Sequence, residues 1–141
     1  MPPKTAASVP KFKPAESEKI TINLGFVDLG QIDLLVLEGF YGNRSDFIRT
    51  AIRNLLGSHA DTVKQVVARK MLVLGLQHLS ADALRDALAT QQMLQIRVLG
   101  LVTIAHDVTP DLALATIQSI TVLGALQASP EVKAALAARL R

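Results

Sequence analysis

Residues 19–24 read KITINL, with Ile20, Ile22 and Leu24 alternating with Lys19, Thr21 and Asn23. This is the period of a β-strand that buries one face and shows a polar one. The residues that follow, to position 57, are helical in pattern, so the strand has no partner within its own unit. A lone strand leaves backbone donors and acceptors unpaired, and a unit of about 40 residues buries too little surface to stand by itself. The simplest remedy is a second copy of the chain, whose strand pairs antiparallel with the first to make a two-stranded ribbon. One ribbon face, formed by Ile20, Ile22 and Leu24, then covers the helices. The other shows Lys19, Thr21 and Asn23 from each chain, and a ribbon of that kind fits the major groove of DNA.

The helices are marked by their punctuation. Gly25 ends the strand, and Asp28 stands three residues before Gln31, a spacing that can cap a helix start from both sides. The first helix is expected over about 29–38, with Leu29, Ile32, Leu35 and Val36 on its inner stripe and Gly39 as its stop. Asn43 is a strong N-cap for a second helix, with Asp46 at its third position. Phe47, Ile48, Ala51, Ile52 and Leu55 recur at helical spacing, Arg49 and Arg53 fall on the outside, and Gly57 is expected to close the element.

The order strand–helix–helix and the string FYGNRSDFIRTAIRNLL resemble the ribbon-helix-helix superfamily, the Arc, MetJ and CopG kind of bacterial repressor. The most specific part is Asn43-Arg44-Ser45-Asp46-Phe47-Ile48-Arg49, about 20 residues after an alternating strand. The resemblance implies an obligate dimer bound to double-stranded DNA, with Lys19, Thr21 and Asn23 reading base edges. Lysine donates to guanine acceptors, asparagine pairs with adenine, and threonine does either or touches a thymine methyl. It also implies that Asn43, Arg44 and Ser45 grip a phosphate at the positive end of the second helix. One departure is Gly25-Phe26, where many members turn on a proline. The bland readings are a solvated strand face and a plain N-cap.

Composition sets the outer limits. The chain has 141 residues, half of them apolar, with a net charge of +3 and no cysteine. Disorder, disulfides and thiolate metal sites are thereby excluded. The first 56 residues hold seven Lys or Arg against six acids. That is a modest balance for a nucleic-acid binder, although placement matters more than total. The apolar runs MLVLGL and VLGLV fall far short of the ~20 residues that cross a bilayer, and no signal-peptide pattern opens the chain. A cytoplasmic protein is expected. Residues 1–18, with four prolines and no hydrophobic period, read as a flexible tail whose Lys4, Lys11 and Lys13 can trail along phosphates.

The second half has a different grammar. Residues 58–70 form a connecting helix with Val63, Val66 and Val67 on a narrow stripe. Val73-Leu74-Gly75-Leu76 then recurs as Val98-Leu99-Gly100-Leu101 and as Val122-Leu123-Gly124-Ala125. Each strand is followed by a hydroxyl N-cap and an acid: Ser80 and Asp82, Thr109 and Asp111, Ser129 and Glu131. Helices are expected at about 81–91, 110–118 and 130–140, each step a right-handed crossover. The asparagine ladder of leucine-rich repeats is missing. The expected fold class is therefore α+β: a ribbon-helix-helix unit at 19–57, a connecting helix at 58–70, and a repeat-like α/β domain of three strand–helix units at 71–141.

Both faces of that parallel sheet are apolar. Val73, Val98 and Val122 share a side with the glycines, and Leu74, Leu76, Leu99, Leu101, Leu123 and Ala125 lie on the other. Three short helices cover one face. Leu74, Leu99, Leu101 and Leu123 are thus expected to form an interface with another copy, giving a higher homo-oligomer. The alternative is that the connecting helix folds back over them.

No catalytic motif is present: no phosphate loop, no nucleophile elbow, no paired carboxylates. His59, His78 and His106 lie in different segments, so no metal site is expected. No cofactor is expected, and no small-molecule effector is evident. Three functions remain: a DNA-binding repressor, an antitoxin of the same superfamily, and a scaffold that uses the ribbon only to dimerise. The antitoxin reading fits less well, because those proteins usually end in a charged tail and this half is apolar.

Overall fold

The computed structural model describes residues 17–141, and the tail expected at 1–18, with Lys4, Lys11 and Lys13, lies outside them save for Ser17 and Glu18. The described chain divides into two compact units, Lys19–Leu72 and Val73–Arg141. The fold is α+β, with one three-stranded parallel sheet and helices.

In the first unit, residues 19–24 form no strand within a single chain. Helix α1 spans Phe26–Leu37, α2 Arg44–Ser58 and α3 Ala60–Lys70. Helix α1 begins three residues before the position expected from Asp28 and Gln31. Gly25 enters it extended with no side-chain cap, its carbonyl accepts from the Leu29 N–H, and Asp28 falls in the first turn. There a carboxylate still faces the positive end of the helix dipole. The helix ends as its sequence predicts. Gly39 takes φ +86°, Phe40 N–H donates to Leu35 O and Gly39 N–H to Val36 O, the paired bonds of a Schellman stop. Gly57 does not close α2, which runs on to Ser58. A glycine inside an exposed helix costs only about 1 kcal/mol, and nothing here enforces a left-handed turn at that point. The connecting helix starts correspondingly late, at Ala60.

In the second unit, β1 (Val73–Leu79), β2 (Leu94–Ile104) and β3 (Ile117–Gln127) lie side by side in chain order, all parallel. Helices α4 (Ala81–Ala89), α5 (Pro110–Thr116) and α6 (Pro130–Leu136) follow them in turn, and a 3-10 turn over Ala137–Arg139 closes the chain. Each helix starts on its expected hydroxyl. Ser80, Thr109 and Ser129 accept from the N–H groups of Ala83, Leu112 and Val132, satisfying one orphan donor apiece. The helices are shorter than their patterns suggested. Helix α4 stops with Gln91 in the left-handed region (φ 57°), and α5 gives way directly to β3.

The core lies between the helices and one sheet face. Leu79, Ile96, Val98, Val102, Ile104, Ile117 and Ile120 from the strands meet Leu84 of α4, Ala113 of α5 and Val132 and Leu136 of α6. Arg139 ties the end of the chain into this layer by donating to the carbonyls of Leu114 and, at 2.7 Å, Ile117. These carbonyls stand at the C-terminal end of α5, where a cation is favoured. On the opposite face Leu74, Leu76 and Leu123 are exposed, and Leu99, Leu101 and Ala125 are half-buried.

Gly75, Gly100 and Gly124 stand opposite one another across the three strands. All three have positive φ, between +121° and +141°, a region that L side chains rarely adopt. The reason is steric as well. A Cβ on Gly100 would land on the carbonyl oxygen of Gly75, and one on Gly124 on the carbonyl oxygen of Gly100, whereas one on Gly75 would meet nothing within 4 Å. Replacing Gly100 or Gly124 by alanine is expected to destabilise the protein by on the order of 3 kcal/mol or more, through strain and collision together. Gly75→Ala carries the backbone strain alone, about 1–3 kcal/mol. Urea melts of the three variants check the ranking, and Gly75→Ala as the most damaging change would contradict it.

Candidate nucleic-acid interface

The start of α2 is built residue by residue. Asn43 sits extended before the helix, and its side-chain oxygen accepts from the Asp46 N–H at 2.8 Å. The Asp46 carboxylate reaches back to accept from the Gly42 N–H at 2.9 Å. The Tyr41 ring packs edge-on against Phe47, centroids 5.0 Å apart, a T-shaped contact of the kind aromatic quadrupoles favour. The turn into the helix is thus fixed from three directions. The N–H groups of Arg44 and Ser45, in the first helical turn, have no partner within the helix. They offer two donors to an anion at the positive end of the dipole.

The Arg44 side chain is already engaged. Its Nε and Nη2 donate to the two carboxylate oxygens of Asp33 on α1, at 2.7 and 2.8 Å. This fork geometry is the strong form of an arginine–carboxylate pair. The hydrogen bonds from Arg44, reinforced by its charge, hold the Asp33 carboxyl below the ordinary carboxylate range, and Asp33 raises Arg44 in turn. The pair clasps the second half of α1 to the start of α2. Its signal in the sequence is faint, because Asp33 and Arg44 are eleven positions apart and are brought together only by the conformation of the intervening turn.

Of the expected site residues, Asn43, Arg44 and Ser45 thus come together in one turn. Lys19, Thr21 and Asn23 are each exposed along an irregular segment, as are Ile20, Ile22 and Leu24. Exposure continues through the unit. Phe26 is 93% exposed and Leu37 80%, and Ile32 and Leu72 are its buried apolar residues. A single copy therefore leaves most of the apolar surface of Lys19–Leu72 in water.

No other chemistry competes for attention among the described residues. No group of three His, Asp or Glu side chains is placed to hold a metal ion, and no helix is long and apolar enough to cross a membrane. His78 shares a 2.6 Å hydrogen bond with Thr103 on the leucine side of the sheet.

The model of the Ribbon-Helix-Helix transcriptional regulator family matches residues 15–133, which spans the first compact unit and most of the second. No curated protein and no solved structure matches the chain significantly.

The Asp33–Arg44 clasp has a pH signature. A depressed carboxyl pKa adds stability that is present above the unfolded value, about 3.9, and is lost as pH falls through the lower folded value. Asp33→Asn is expected to melt below the wild type at neutral pH, by a small margin because the pair is exposed. The margin should close on acidification below the ordinary carboxylate range. Melting curves of both proteins from neutral to acid pH check this, and a margin independent of pH would contradict it.

Proposed function

The chain belongs to the Ribbon-Helix-Helix transcriptional regulator family, and on that premise we propose that it is a repressor that binds DNA as a ribbon dimer. Residues 19–24 of two copies pair antiparallel. Ile20, Ile22 and Leu24 turn inward onto the helices, and Lys19, Thr21 and Asn23 of each copy enter the major groove to read base edges. The first turn of α2 holds a backbone phosphate through the N–H groups of Arg44 and Ser45 and the Asn43 cap, while the Arg44 side chain stays on Asp33. The family supports DNA binding. The observation that carries the dimer is the exposure of Ile20, Ile22, Leu24, Phe26 and Leu37 in a single chain, because a folded unit with so much uncovered apolar surface calls for a partner.

The domain roles follow from the same reading. Residues 19–57 bind DNA, 58–70 connect, and 71–141 assemble dimers into larger homo-oligomers through the uncovered leucines, Leu74, Leu99, Leu101 and Leu123. The protein works in the cytoplasm, beside the chromosome it regulates.

A gel shift on the DNA upstream of its own gene, in graded salt, tests the reading. The logarithm of affinity should fall with the logarithm of salt, with a slope of about −0.9 per phosphate neutralised. Asn23→Ala should cost roughly 1–3 kcal/mol and relax sequence preference. Ser45→Pro, which removes one of the two donors offered by the first turn of α2, should weaken all sequences alike. Absence of binding at low salt would leave the scaffold reading standing instead. Loss of discrimination from Ser45→Pro equal to that from Asn23→Ala would contradict the division of labour.

A further inference from the structure

We propose that the free edge of β1 is the docking site for β3 of a second copy, which adds in parallel with its Gly124 opposite Gly75 and so joins copies head to tail. The inference rests on the reading above that copies assemble, and adds an edge contact to the leucine face named there. The sheet already makes the same step twice. From Gly75 to Gly100 and from Gly100 to Gly124, the carbonyl oxygen of one glycine fills the place where a side chain on the next would be. Gly75 has the same kind of backbone, φ +127° beside +141° and +121°, and its place is open. The glycine carbonyl of one more parallel strand fits that notch.

Among the described residues, the edge lacks the defences that keep sheet edges apart. Natural edges carry lysine, proline, bulges or a cover. Strand β1 reads VLGLQHL, without lysine or proline, and Val73, Leu74 and Leu76 are 56%, 67% and 74% exposed. The other edge of the sheet is a match for it. Strand β3 has no lysine or proline either. The chain end covers this outer edge at one point, where Leu140 bridges Ile120 and the Arg141 N–H donates to the Ile120 carbonyl at 2.8 Å. That contact lies short of Thr121–Gln127, the part that bears the glycine.

Parallel addition extends every row the sheet already has. Val122 of the incoming copy would lie beside Val73, Leu123 beside Leu74 and Ala125 beside Leu76, as Val98, Leu99 and Leu101 lie beside them within one chain. An antiparallel pairing of two β1 edges would not repeat the glycine-on-glycine step. A head-to-tail contact joins two different surfaces and does not close by two-fold symmetry. Ribbon dimers linked in this way would form rows.

The chain has no native cysteine, so the geometry can be read by placed thiols in the full-length protein. Leu76→Cys and Ala125→Cys chains are prepared separately and in equal mixture, then treated with a short bifunctional thiol reagent. Cross-links should form in the mixture and be several-fold fewer in either chain alone, and the double variant should give a ladder of multimers. Wild type should sediment above the dimer at micromolar concentration, with Leu76→Lys held at the dimer. Circular dichroism confirms that each variant is folded. Cross-linking as efficient in Leu76→Cys alone would overturn the head-to-tail edge and leave assembly standing. A wild type that stays at the dimer would overturn the assembly reading, and this inference with it.

Discussion

Apolar side chains that one chain cannot bury govern the first half of this molecule. Helices α1 and α2 are well formed and clasped by Asp33 and Arg44, yet Phe26, Leu34, Leu37, Ile52 and Leu55 all face water in a single copy. Covering a handful of such side chains is worth on the order of 10 kcal/mol, comparable with the whole stability of a small domain. Nothing local substitutes for that. An exposed ion pair contributes little, and a cap about 1 kcal/mol. The helical hairpin is in effect half of a core. The segment at 19–24, with its unpaired backbone and its alternating isoleucines, is the edge along which the other half is expected to join.

The second half is self-sufficient on one side and open on the other. Its core runs from Leu79 and Leu84 to Val132 and Leu136, its helices are capped, and its buried Thr116 is satisfied by donating to the Leu112 carbonyl at 2.8 Å. The glycine column lets three strands approach in identical register. The exposed leucines on the opposite face are the surface on which we propose that copies assemble. Binding DNA through one half and joining copies through the other would raise effective concentration at neighbouring sites without any new base contact.

Much of this was legible in the residues themselves. The VLG motifs mark the three strands, while the register that sets their positive-φ glycines opposite one another is seen only in the structure. Asn43, Ser80, Thr109 and Ser129 mark helix starts through a local hydrogen bond, and local chemistry is what a sequence reports best. Features that depend on three-dimensional closure were not legible. Asp28 and Gln31 looked like a cap, but Gly25 lets the chain enter the helix earlier. Gly57 looked like a stop, but a glycine stops a helix only where the backbone turns left-handed. Met71 and Gln91 make such turns without being glycine. The bond from Arg44 to Asp33 depends on how two helices turn about one loop. The base-reading roles proposed for Lys19, Thr21 and Asn23 need a second chain and DNA to acquire meaning.

The central claim is that residues 19–24 gain order only by pairing with their own copy. Amide hydrogen exchange along this segment, followed as the protein is diluted, tests it most directly. Every second amide should exchange slowly at high concentration, and that protection should vanish on dilution together with the protection of α1 and α2. Fast exchange over 19–24 at all concentrations, with the two helices still protected, would contradict the account.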